Sequence, residues 1–183
     1  MKNIVRLLFE ARILKDRLRS GYVFLGTGQE SIAEHSFMTA FICFLMAKTK
    51  KKINKEKLIS MALIHDIAEA RIGDVNYFEK KYSKNDEKKA VEDLIKDLSF
   101  GDEIKDLINE FNAKKTKESL LANDADQISF ILELKKLKDT GSKGVDKWLP
   151  FIIERLETKT GKKIAKRIME TTWDEWWFKN YEE

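Results

Sequence analysis

Residues 58–74 read LISMALIHDIAEARIGD. Leu58, Ile59, Met61, Ala62, Leu63, Ile64, Ile67 and Ala68 leave this segment little polar surface, so the pattern predicts a helix buried inside a packed body. Yet His65, Asp66 and Glu69 sit in its middle. Burying charge without compensation costs on the order of several kcal/mol. Something has to offset these three side chains.

Outward from that segment, every element that can be placed is a helix. Asn54 can cap the central helix at its start, and Gly73 suits its C-terminal end. Upstream, SIAE at 31–34 matches a capping box, with Ser31 as N-cap and Glu34 at N3, and opens a helix to about Lys50. SGYVFLGTGQE at 20–30 holds three glycines and reads as a loop. Before it, Val5, Leu8, Phe9 and Ile13 recur at helical spacing in a helix expected over about Lys2–Leu18.

Downstream, an irregular stretch near 75–83 precedes helices expected at about 84–98, 102–113 and 117–138. DTGSKG at 139–144 is a turn, Pro150 marks a helix start or bend, and residues 162–183 read as a last helix. The expectation is an all-α bundle in one domain spanning 1–183, with the functional core over about 31–138.

Composition agrees. The 183 residues are 43% hydrophobic and 36% charged, with one proline and eight glycines, which excludes a disordered chain and a many-turned β fold. Net charge is +4 and the pI near 8.9. Lysines interspersed with acids describe a solvated face rather than a nucleic-acid surface, though a basic exterior would help draw in small phosphorylated anions. Cys43 is the single cysteine, set in FICFLMA, so it reads as core filler in a reducing, cytoplasmic protein with no internal disulfide. The N-terminus is amphipathic and punctuated by charge, unlike a signal peptide. The longest apolar run, Phe37–Ala47, is too short to span a bilayer.

The chain has two histidines, His35 and His65, both in apolar helices. Neighbours on a helix project about 100° apart, so His65 and Asp66 can meet only at a point between them. A divalent cation at that point would offset the carboxylate and take a neutral imidazole. Two imidazoles with carboxylate oxygens suit first-row metals better than magnesium or calcium. A further ligand would come from NDADQI, where Asp124 and Asp126 lie about 200° apart. Helical periodicity does not choose between them.

AEHS at 33–36, LIHDIAE at 63–69, GD at 73–74 and DADQ at 124–127 together resemble the HD superfamily of metal-dependent phosphohydrolases. RSGY at 19–22, the ES and AEHS that follow it, and HDIAEARIGD resemble its 5′-deoxynucleotidase branch. The resemblance covers roughly residues 1–140. It implies an HD-type helical domain and metal ligands His35, His65, Asp66 and Asp126. It also implies one divalent ion per chain (Co²⁺, Mn²⁺, Zn²⁺, Fe²⁺ or Mg²⁺). Glu69 and Asp74 are implied to handle water and proton transfer, and Arg19 to contact phosphate. Tyr22 replaces the tryptophan common at its position and could wall the sugar or base. Arg71 is a second candidate for the phosphate.

The activity implied is hydrolysis of (deoxy)ribonucleoside 5′-monophosphates by a homodimer, the C-terminal helices over about 144–180 serving as packing or dimer elements. Trp173, Trp176 and Trp177, at helical spacing, could pack on the body or on a partner. Two other readings compete. One keeps the metal but opens a phosphodiester or a nucleoside triphosphate. The other is a non-catalytic nucleotide- or nucleic-acid-binding module, which only the pI favours.

Overall fold

The chain runs through α1 (Lys2–Ile13), α2 (Tyr22–Leu25), α3 (Ile32–Thr49), α4 (Lys55–Ile64), α5 (Glu69–Ile72), α6 (Glu87–Ile95) and α7 (Gly101–Ala113). It continues through α8 (Lys117–Asp139), α9 (Trp148–Glu154), α10 (Lys159–Glu170) and α11 (Glu175–Phe178), with single turns of 3₁₀ helix between some of them. This computed structural model describes residues 1–84 and 86–181. Among them there is no strand, only one isolated antiparallel bridge between Leu18 and Ser31. The protein is all-α.

Three helices make the centre. The Ser31 hydroxyl accepts the Glu34 N–H while the Glu34 carboxylate accepts the Ser31 N–H, so α3 opens on the expected capping box. The Asn54 side chain accepts the Lys57 N–H and starts α4. Thr116 and Ser119 cap α8 in the same reciprocal way. α3, α4 and α8 pack on one another around Ile42, Met46, Leu58, Met61, Ile128 and Ile131. α9 and α10 close one side of α8. A smaller core of Val91, Leu94, Ile95 and Ile108 joins α6 and α7 to Ala68. Pro150 lies in the first turn of α9, where its missing N–H leaves no bond unmade. No helix among the described residues is long and apolar enough to cross a membrane.

Several boundaries differ from expectation. α1 stops at Ile13, not Leu18, because Leu14 packs with Ile32 and the chain turns back to pair with the segment before α3. Arg19 N–H donates to Glu30 O, and Ile32 N–H to Arg17 O. The Gly-rich loop contains the short α2. α6 is shorter than the helix expected at 84–98. The C-terminal helix breaks at Thr171, whose backbone is extended, before α11.

The change that matters most is in the opening segment, which is not one continuous helix. α4 ends at Ile64, and the chain tightens over the next residues. Ile67, Glu69, Ala70 and Arg71 each donate to the carbonyl three residues back. Hydrophobic periodicity is nearly the same for both helix types, so sequence alone did not separate them.

Candidate metal centre

α3 supplies His35 from its first turn, the tight turn after α4 supplies His65 and Asp66, and α8 supplies Asp126. His35, His65 and Asp126 present ligand atoms that all lie within 4.8 Å of one another. Asp66 Oδ2 is 3.1 Å from His65 Nε2 and 3.7 Å from His35 Nε2, and Asp126 Oδ1 is 2.9 Å from His35 Nε2. The two rings stand edge to face, with centroids 5.4 Å apart. Phe111 walls His65 at 4.9 Å.

Both imidazoles are buried, and neither Nε2 is aligned for a hydrogen bond with the carboxylates beside it. Nitrogen and oxygen atoms able to ligate a metal thus converge on a common point, which is the arrangement a cation needs. His65 Nδ1 donates to the Ala62 carbonyl at 2.7 Å, so Nε2 faces the cluster, where a cation would take the place of its proton. The donor set of two imidazoles and two carboxylates fits a first-row divalent ion.

The protonation balance follows from the same proximity. Burial keeps His35 below the usual imidazole range, helped by the Arg19 cation. Burial also opposes charge on His65, but the adjacent Asp66 carboxylate more than reverses it and lifts His65 to about 9. Burial likewise opposes ionisation of Asp66 and Asp126, and the neighbouring imidazoles nonetheless hold both below the ordinary carboxylate range.

Beside the cluster is a cavity of about 430 Å³ lined by His65, Asp66, Glu69, Lys80, Phe111 and Asn123 among others. Glu69 lies in the tight turn after His65 and lines this cavity with it. Burial, then the like charges of Asp66 and Asp74, push its carboxyl up to about 10. Asp74 Oδ2 accepts both the backbone N–H (2.7 Å) and the hydroxyl (3.2 Å) of Ser20, tying the end of α5 to the loop that carries Arg19.

Arg19 lies within electrostatic reach of Asp126, Asp66, Glu30 and Asp74, with Nη1 buried and unpaired and its guanidinium 5.6 Å over the Phe130 ring. Tyr22 is buried rather than walling an open pocket. Its ring packs edge-on to Phe130, and its hydroxyl donates to Glu30 at 3.2 Å. Arg71 is committed elsewhere: Nε and Nη2 donate to Glu10 of α1, and Nη1 pairs with Asp93 of α6. The structure does not bring Arg71 to the cluster.

Asp124 and Asp126 part company. Asp124 is 1% exposed and accepts the Glu157 N–H, the Thr158 N–H and the Thr158 hydroxyl, so it holds the α9–α10 junction. Only Asp126 faces the histidines. Sequence reading missed Glu30, a buried carboxylate 3.9 Å from Arg19 Nε that burial pushes up to about 7. Its one signal was an acid placed directly before the α3 cap.

Known proteins resemble this chain in sequence and in fold. A family model described as HD domain matches residues 11–170. The "5′-deoxynucleotidase HDDC2" of Dictyostelium discoideum is 35% identical over 134 residues, covering 66% of this chain and 70% of that protein. The protein of the same name from Xenopus laevis is 30% identical over 126 residues, covering 66% of this chain and 62%, less than two thirds, of its own length. Among solved structures, the PH0347 protein from Pyrococcus horikoshii OT3 superposes with a TM-score of 0.75 at 30% identity, over 91% of this chain and 98% of that one.

Proposed function

The chain belongs to the HD domain family, and from that premise we propose that it is a metal-dependent 5′-nucleotidase releasing phosphate from deoxyribonucleoside 5′-monophosphates. The observation that carries this reading is the convergence of four nitrogen and oxygen ligands beside a cavity that also holds a protonatable glutamate. His35, His65, Asp66 and Asp126 would hold one divalent ion. Such an ion supplies a more acidic water and neutralises charge on the phosphoryl oxygens.

The chain's own residues do the rest. Arg19, with its unpaired Nη1, binds a phosphate oxygen, and Glu30 and Tyr22 hold it in place from behind. With a cation in the centre offsetting the charge of Asp66, Glu69 would ionise and take the proton of the attacking water at its carboxylate oxygens. The proton taken from the water passes to the nucleoside 5′-oxygen by way of Asp74, which Ser20 anchors through Oδ2. Arg71 has no part in this scheme. We also assign the enzyme to the cytoplasm, where the lone buried Cys43 stays reduced, and to a homodimer.

The test is phosphate release from a panel of ribo- and deoxyribonucleotides with Co²⁺, Mn²⁺, Mg²⁺ and Zn²⁺. Metal-dependent release from 2′-deoxy monophosphates is the expected result. Activity confined to diesters or triphosphates would replace the substrate, and no metal-dependent hydrolysis of any phosphate ester would overturn the reading. His65→Ala should lose bound metal and turnover together.

A further inference from the structure

A second cavity, of about 940 Å³, opens between α3, α8, α10 and the segment that follows α10, and it shares no lining residue with the metal centre. Its walls are apolar, formed by Ile42, Met46, Ile128, Leu132, Ile164 and Ile168. Lys50, Lys135, Lys159, Lys163 and Arg167 also line it, whereas among the described residues no aspartate or glutamate does. In a chain with 31 acids against 35 bases, that segregation sets the cavity apart from the mixed surface around it. Lys135 is paired with Asp139, and Arg167 with Glu170. Lys50, Lys159 and Lys163 have no carboxylate partner among the described residues.

The cavity is long and its ends differ. Lys159 and Lys163 stand one turn apart at the start of α10, which Asp124 ties to α8 through Thr158. Trp173 and Trp176 line it beyond the other end of α10, where Asp139 of α8 accepts the Trp173 N–H. The 12 residues of α10 rise about 18 Å between these ends. Half of a bilayer's hydrocarbon core of about 30 Å gives about 15 Å for one unbranched acyl chain. A trough of that length, apolar along its walls and cationic at one end, is complementary to one such chain with an anionic head. Its volume falls within the roughly 300–1,000 Å³ of small-molecule sites, which are mostly apolar with a few polar groups that fix orientation.

We propose that this trough binds a long-chain carboxylate of the fatty-acid class. The head rests on Lys159 and Lys163, with Lys50 adding to the positive field, and the tail runs along α10 towards Trp173 and Trp176. The head thereby meets ammonium groups that have no other carboxylate, and the tail covers apolar side chains now open to water. The concave lining suits a single molecule rather than a bilayer surface. This site goes beyond the hydrolase reading and does not depend on it.

Calorimetric titration of the metal-loaded full chain with laurate, kept below its micellar concentration, tests it. One laurate should bind per chain and saturate, with acetate silent and dodecyltrimethylammonium, the same tail on a cation, at least about 10-fold weaker. Lys159→Glu combined with Lys163→Glu should weaken laurate about 10-fold or more, by replacing charge-assisted contacts with repulsion. Leu45→Glu, at a wall position that is 50% exposed, should weaken it as well, with helicity and bound metal retained. Laurate brominated at its tail end should quench tryptophan fluorescence, and Trp173→Phe with Trp176→Phe should remove most of that quenching. The absence of saturable laurate binding would overturn the site, as would equal affinity for the cationic amphiphile or indifference to the double lysine variant. Association with phosphatidylserine vesicles without binding of dissolved laurate would also overturn it, in favour of a membrane surface.

Discussion

Asp124→Ala should unfold the protein more easily without emptying the metal centre. Asp124 accepts three hydrogen bonds, from the Glu157 and Thr158 N–H groups at 2.8 Å each and from the Thr158 hydroxyl at 2.5 Å. Hydrogen bonds to a charged acceptor contribute about 1.5–3 kcal/mol each. The three share one carboxylate and the freed donors at the α9–α10 junction can partly rehydrate, so the net loss is about 3–5 kcal/mol rather than the full sum. For a chain of this length that lowers Tm by roughly 10 °C. Gly161 supports the same picture, since a Cβ there would collide with the Asp124 carboxylate. Asp124→Asn keeps one acceptor oxygen and should lose about half as much.

The assay pairs urea unfolding with metal analysis of the folded protein, and Asp126→Ala serves as its mirror image. That variant should lose metal without loosening the α9–α10 junction, because Asp126 accepts no backbone N–H there and its neighbours are His35 and Gln127. An Asp124→Ala protein with wild-type stability, or one that loses metal while Asp126→Ala keeps it, would refute the division of labour along α8.

Glu69→Gln should retain metal and lose about 10²- to 10⁴-fold in turnover, read from metal analysis beside steady-state kinetics. In the chelated protein Glu69 is held up near 10, above its unfolded value, so the folded state keeps a proton that the unfolded state releases. Stability from this group is therefore present at low pH and lost as pH rises from the ordinary carboxyl value of 4.5 towards about 10. Thermal melts of chelated Glu69→Gln should show a shallower decline across that window, and an unchanged slope would contradict the burial assigned to Glu69. Arg19→Ala should lower kcat/KM about 10- to 100-fold through loss of a charge-assisted phosphate contact, and an unaffected kcat/KM would remove Arg19 from the site.

Much of this protein could be read along the chain. The capping boxes and Asn54 set where α3 and α4 begin, because a cap is a bond between residues three apart. Apolar runs at helical spacing identified the central helices, and the polar triplet His65, Asp66 and Glu69 inside one of them required a compensating charge. These signals are local, so the all-α class and two of the metal-site segments were legible without a structure.

Other features depended on the packing of distant segments. Which carboxylate of NDADQI faces the histidines depends on the rotation of α8 against α3, α4 and α10, a relation among residues some thirty to ninety positions apart in sequence. The tightening after Ile64 leaves the hydrophobic pattern unaltered. Glu30 and Arg71 show the same limit from opposite sides. The acid gains meaning from being buried against Arg19, whereas the arginine is drawn off by Glu10, sixty-one residues away. A sequence reports the identity and spacing of its charges directly. Which charges meet is settled only when helices dock, since burial and electrostatics act through space.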